Sequence, residues 1–204
     1  CACAVITAVV LGVCSPAAAA SPATAGAYCV IDAQTGEVIC QKNAYARMEM
    51  ASTTKVMTAL VALENAPLSL TVRITRAEAG TEGSSMYLRA GDVYTLEDLL
   101  LGIMLVSCND AALAVARTVA VSEASFVRLM NEKAQEIGMC DTHFDNPHGL
   151  HSQQHYTSAY DLALLCGYAM QNAEFCRIVG CKSAGIKELT RGETRVMVNK
   201  NRFI

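Results

Sequence analysis

Ser52 and Lys55 lie three residues apart in Ala51-Ser52-Thr53-Thr54-Lys55-Val56-Met57-Thr58-Ala59-Leu60, at the head of an apolar run. Positions i and i+3 share one face of a helix, so the lysine amine can reach the serine hydroxyl. That pairs a nucleophile with a base. A serine hydroxyl is a weak nucleophile at neutral pH, and lysine activates it only when burial or a nearby cation lowers the amine's pKa. The pair is then a serine-lysine version of triad logic. The bland alternative is a helix start with a solvated lysine, and S-x-x-K alone does not exclude it.

Ser107-Cys108-Asn109 follows, the only S-x-N in the chain, just as Ser52/Lys55 is the only S-x-x-K. A serine nucleophile, a lysine base and an S-x-N wall are two of three elements in the signature of penicillin-binding proteins and class A β-lactamases. From about Ala27 onward the chain resembles the D-alanyl-D-alanine carboxypeptidases, the low-molecular-weight penicillin-binding proteins of serine peptidase type. The resemblance is carried, in the family's order, by DAQTGEV (32–38), ASTTKVMT (51–58), SCNDAA (107–112), MNEKAQEIGMCDTHFDNPHG (130–149) and HYTSAYDLA (155–163). It implies an α+β, penicillin-binding protein/β-lactamase-like transpeptidase fold, with an antiparallel sheet, flanking helices and a helical subdomain over about 76–180. It further implies catalytic roles: Ser52 as nucleophile, Lys55 as its base, Ser107 relaying a proton to the leaving amine, and Asn109 orienting the substrate amide and holding Lys55. The Ser52 backbone N–H supplies half of an oxyanion hole. The implied substrate is the D-Ala-D-Ala end of peptidoglycan stem pentapeptides, with β-lactams as covalent inhibitors and no cofactor.

With 204 residues, 52% of them hydrophobic, the chain can bury one substantial core. A net charge of −3 gives no electrostatic reason for a nucleic-acid partner. Ala4 to Val13 (AVITAVVLGV) and the alanine-rich stretch to Ala25 match the apolar region and small-residue cleavage zone of a secretory leader, too short to span a bilayer. Residues 1–23 are therefore read as a leader remnant and linker, and 24–204 as the peptidase domain. Export to the periplasm or the outer face of the cytoplasmic membrane follows. Of ten cysteines, Cys1, Cys3 and Cys14 fall in that leader. The others, Cys29, Cys40, Cys108, Cys140, Cys166, Cys176 and Cys181, fit neither a zinc site nor a full disulfide framework and read mainly as buried small hydrophobes.

These groups need elements to position them. Two β-rich runs flank Ala33-Gln34-Thr35-Gly36, a hairpin in which Gly36 supplies positive φ. Cys29 and Cys40 are equidistant from that turn, so a cross-strand disulfide is one option. The Ser52 helix runs to about Asn65 before Pro67. Leu70 to Thr75 alternates as a short strand, and Gly80 to Gly91 is irregular. Thr95 caps a largely apolar helix, Leu96 to Val106, and Asn109 caps the next, Asp110 to Val121. Ser107 and Asn109 would then sit on a connector between buried helices. Further helices are expected from Ser122 to Ile137, from Ser158 to about Gln171 and from Ala173 to Val179, and then a hairpin, Ser183–Leu189 with Thr194–Asn199, returns to the sheet. His143, His148, His151 and His155 crowd one loop, but their spacing matches no recognised ligand set, and no metal is expected.

The third family element, a lysine-threonine-glycine strand, has no counterpart. Asn199-Lys200-Asn201-Arg202 resembles the stretch just before it, so the sequence reads as clipped at both ends. In the family the missing strand binds the substrate carboxylate and gives the second oxyanion donor. Losing one such donor costs about 100- to 1000-fold in rate, and little activity is expected of these 204 residues alone. A peripheral membrane association through that further C-terminal region is compatible with the resemblance. A class A β-lactamase is the near rival, yet no asparagine here follows a glutamate by four residues, and Cys108 stands where those enzymes usually carry aspartate. A non-catalytic wall-binding or β-lactam-sensing relative is the rival from another class.

Overall fold

Asp32 turns the chain back on itself: its carboxylate accepts from the backbone N–H groups of Gln34 and Thr35 at 2.9 and 2.8 Å, and Gly36 follows at φ 74°. The turn joins antiparallel strands β1 (Tyr28–Ile31) and β2 (Val38–Lys42). The computed structural model describes residues 24–204, so the leader reading of residues 1–23 lies outside it. A register shift between Val30 and Ile31 pairs Cys29 with Gln41 and Val30 with Cys40. One residue of offset puts the two cysteines on opposite faces of the ribbon, which removes the disulfide option; both are free.

Cysteine burial also departs from expectation. Only Cys108 is buried among the described cysteines. In α5 (Ala159–Ala169) the buried positions are Asp161, Leu165 and Ala169, a four-residue spacing that leaves Cys166 off the core face. Cys176 likewise sits beside, not on, the Phe175/Ile178 face of α6 (Ala173–Val179).

The helices follow their sequence signals closely. Thr95 accepts from the Asp98 N–H at the head of α2 (Leu96–Val106), Ser122 from Ser125 before α4 (Glu123–Ile137), and Ser158 from Asp161 before α5. Gly138 ends α4 at φ 87°. In the core, α1 (Thr54–Asn65) presents Met57, Leu60 and Val61, α2 contributes Leu99, Leu100, Ile103 and Leu105, and α4 adds Phe126 and Met130. Each such side chain stabilises the fold by roughly 1.5–3 kcal/mol through water exclusion.

Asn109 is the exception. It is the first residue of α3 (Asn109–Ala120), and the cap position belongs to Cys108, whose side chain makes no capping bond. The expected cap is therefore corrected: the Asn109 amide is occupied by a distant carbonyl, as described below. Among the described residues the β elements form three separate two-stranded ribbons, β1–β2, β3 (Thr71–Arg73) with β4 (Val93–Thr95), and β5 (Ser183–Lys187) with β6 (Thr194–Val198). The last hairpin forms where expected; among the described residues its strands ladder only with each other, Leu189 just beyond β5 donates to the Val93 carbonyl of β4 at 2.8 Å, and Val196 and Val198 are exposed.

Candidate active site

Ser52 is solvent-exposed on a 3₁₀ turn, Ala51–Thr53, that leads directly into α1, whereas Lys55 one turn on is buried, 2% exposed. The Lys55 ammonium donates to Ser52 Oγ at 3.0 Å and to the His148 carbonyl at 2.6 Å. Burial pushes the amine's pKa down from 10.5 to about 8, and the nearby Lys200 ammonium adds to that. A hydroxyl in water thus meets an amine that sheds its proton readily.

The turn is held by its own hydroxyls. Thr53 Oγ1 donates to the Met50 carbonyl at 2.6 Å, and Thr54 Oγ1 donates to the Ala51 carbonyl at 2.7 Å. Ala51 sits at φ 46°, a conformation an alanine keeps only under such restraint. Thr54 Oγ1 also lies 2.7 Å from His155 Nε2. Because His155 Nδ1 accepts from the Asp145 N–H at 3.0 Å, the network assigns the ring proton to Nε2, which donates to Thr54. Burial holds His155 at about 4, so the ring is neutral at physiological pH.

The histidine loop closes the other side. Asn146 Oδ1 accepts from the N–H groups of His148 and Gly149 at 3.2 and 2.7 Å, and Gly149 follows at φ 90°. A Cβ on Gly149 would fall 1.9 Å from the Ala51 carbonyl oxygen. The four histidines have separate partners: His143 contacts the Gln154 carbonyl, His151 pairs with Glu49, and His148 and His155 serve the nucleophile turn.

The S-x-N segment joins α2 to α3. Ser107 ends α2 in the left-handed region at φ 66°, its N–H donating to the Ile103 carbonyl. Cys108 is fully buried, and burial followed by the Asp110 charge pushes its thiol up to about 12, so it remains protonated. Asn109 Nδ2 donates to the Glu82 carbonyl at 2.7 Å, and its N–H to the Ser84 carbonyl at 2.7 Å. Lys55 has no hydrogen bond to Ser107 or Asn109; the expected grip of Asn109 on Lys55 is taken by the His148 carbonyl instead.

Asp110, buried, accepts from Ser85 Oγ at 2.6 Å and from the N–H groups of Met86, Leu88 and Ala111 at 3.0, 3.2 and 2.9 Å. It fastens the 84–88 segment to α3, and that segment lines a cleft of about 440 Å³ with Val106, Arg195 and Lys200. Asp110→Ala strands several buried donors and is expected to cost about 3 kcal/mol, against about 1 kcal/mol for Ser85→Ala, in denaturant unfolding. Equal losses would mean that the backbone donors do not depend on the carboxylate. Sequence reasoning missed Asp110, Gly149, His155 and Lys200. Only Gly149, closing a turn-rich stretch, carried a local signal.

The family model described as D-alanyl-D-alanine carboxypeptidase, peptidase S11, matches residues 15–204. The chain belongs to the D-alanyl-D-alanine carboxypeptidase family. A carboxypeptidase of this family from Bacillus subtilis, DacF, is 36% identical over 180 residues, covering 86% of this chain and 46% of its own length. The crystal structure of DacD from Francisella tularensis superposes with a TM-score of 0.80 at 34% identity over 89% of this chain and 45% of that one. A Mycobacterium tuberculosis carboxypeptidase structure gives a TM-score of 0.82 at 32% identity, over 87% and 67% of the two chains. The fold is thus that of the D,D-peptidases, although the chain spans less than half the length of DacF and DacD.

Proposed function

We propose that the whole protein is a serine-type carboxypeptidase that removes the terminal D-alanine from peptidoglycan stem pentapeptides outside the cytoplasmic membrane. In this reading neutral Lys55 takes the Ser52 proton as Oγ adds to the penultimate D-Ala carbonyl, and the Ser52 N–H stabilises the oxyanion that forms. Collapse breaks the C–N bond, and a proton passed through Ser107 leaves on the amine of free D-alanine. Water, deprotonated by Lys55, then adds to the acyl-Ser52 ester and releases the shortened peptide. Asn109 orients the substrate amide in this reading. β-Lactams enter the first half of this cycle and stall as an ester on Ser52.

The observation that carries the reading is the 3.0 Å contact between an exposed hydroxyl and a buried amine. Incubating the whole protein with benzylpenicillin is expected to add one penicilloyl mass that is lost slowly, and Ser52→Ala to abolish it. An unchanged adduct in Ser52→Ala, or none in the parent protein, overturns the assignment. The acylation rate should rise about tenfold between pH 7 and pH 9 as an amine titrating near 8 loses its proton.

A further inference from the structure

The carbonyls at the C-terminal end of α2 have no partner within the helix and lie at its negative pole. Two of them are taken by one residue from the far end of the chain. The Lys200 N–H donates to the Leu105 carbonyl at 3.0 Å, and the Lys200 ammonium donates to the Val106 carbonyl at 2.8 Å. Ser107 is the next residue, held at φ 66°, a left-handed conformation that a non-glycine residue keeps only under external restraint. The chain leaving β6 is thereby stitched to the corner that carries the S-x-N segment, along one side of the 440 Å³ cleft. Cys108, buried directly after Ser107, is influenced by both Lys55 and Lys200.

We propose that Lys200 is a positioning residue: it clamps the last two carbonyls of α2, fixes the Ser107 corner, and holds a second positive charge beside the Lys55 pocket. This rests on Ser52 and Lys55 being the reacting pair. The Lys55 ammonium is bonded to Ser52 and to the His148 carbonyl, and the ionisable groups that act on it through space are the His148 ring, Cys108 at the head of α3 and Lys200, which is bonded one and two residues before Ser107. His148, held at about 4, and the thiol, at about 12, are both neutral near pH 7, which leaves Lys200 as the charge that acts on the amine. Burial remains the larger cause of the low Lys55 value, and Lys200 adds to it in the same direction.

The test uses the whole protein, uniformly lysine-labelled with ¹³C, as parent, Lys200→Met and Lys200→Arg, with Lys55→Arg assigning the resonance. The Lys55 Cε titration midpoint is expected to rise by about 0.5 in pH in Lys200→Met, and to stay near the parent value in Lys200→Arg, which keeps the charge at the helix end. Penicillin acylation on the low-pH limb should fall about threefold or more in the methionine variant and recover in the arginine variant. High salt should shrink the difference in midpoint. A Lys55 midpoint unmoved by Lys200→Met, or moved equally by both variants, overturns the proposal. The NMR titration needs no acylation, so a failure of Ser52 to label would count against the nucleophile assignment and leave this result to be read separately.

Discussion

Lys55→Met is expected to lower Ser52 acylation by about 1000-fold or more while leaving the protein at least as stable at pH 6. The two effects come from the same burial. The amine's ordinary value is 10.5 and its folded value about 8. Below pH 8 the folded and unfolded chains both carry the proton, and the desolvation penalty is fully present. Between the two values the unfolded chain binds more protons than the folded one, so stability rises with pH. Above 10.5 the penalty is gone. At its fullest the penalty is on the order of 3 kcal/mol, set against about 1–2 kcal/mol for the hydrogen bond to the His148 carbonyl that methionine forfeits. The variant should therefore gain about 1 kcal/mol over the parent at pH 6 and lose slightly to it by about pH 10. Urea unfolding at the two pH values measures both. A methionine variant far less stable than the parent at pH 6 would mean that the amine is not desolvated.

Gly149→Ala is expected to be the most damaging glycine-to-alanine change among the described residues. The new Cβ would lie 1.9 Å from a backbone oxygen, at φ 90°, so no side-chain rotation can relieve the clash. Either the Ala51 peptide moves or the histidine loop does. A loss of about 3 kcal/mol or more follows, together with a fall in Ser52 acylation of about 100-fold or more, because small displacements of a reacting atom are that costly. Gly167→Ala is the control. That glycine lies inside α5, and a methyl added there would meet nothing within 4 Å. It should gain roughly 0.5–1 kcal/mol from helix propensity and leave acylation unchanged. Thermal unfolding and penicillin labelling of the two variants decide the matter, and comparable behaviour would show that the Gly149 contact is not tight.

What was legible in the chain was local. Thr95 and Ser158 were readable as helix starts because a cap needs only a short polar side chain and an N–H three residues on. Ser52 and Lys55 were readable because one turn of helix fixes their separation. Asn109 was misread because its type suits a cap equally well, while its real partner, the Glu82 carbonyl, is 27 residues away and leaves no local mark. Asp110 was hidden in the same way, since an acid in the first turn of a helix already has an electrostatic reason to be there. The Cys29–Cys40 register failed by one residue because a β-bulge is invisible to counting outward from a turn. His148 contributes its carbonyl rather than its ring, so residue type could not have announced it.

That last contact also governs where an uncharged Lys55 can point. Once the ammonium has given up a proton, two hydrogens and one lone pair remain on Nζ, and an untethered amine would spin among three equivalent orientations. The oxygen 2.6 Å away claims one hydrogen in every protonation state. With that spoke pinned, the nitrogen is no longer a free rotor. Its electron pair is left with two directions instead of three, one of which is the hydroxyl 3.0 Å away. The histidine loop thus acts as a bearing for the base, and its grip survives the very titration that switches the base on.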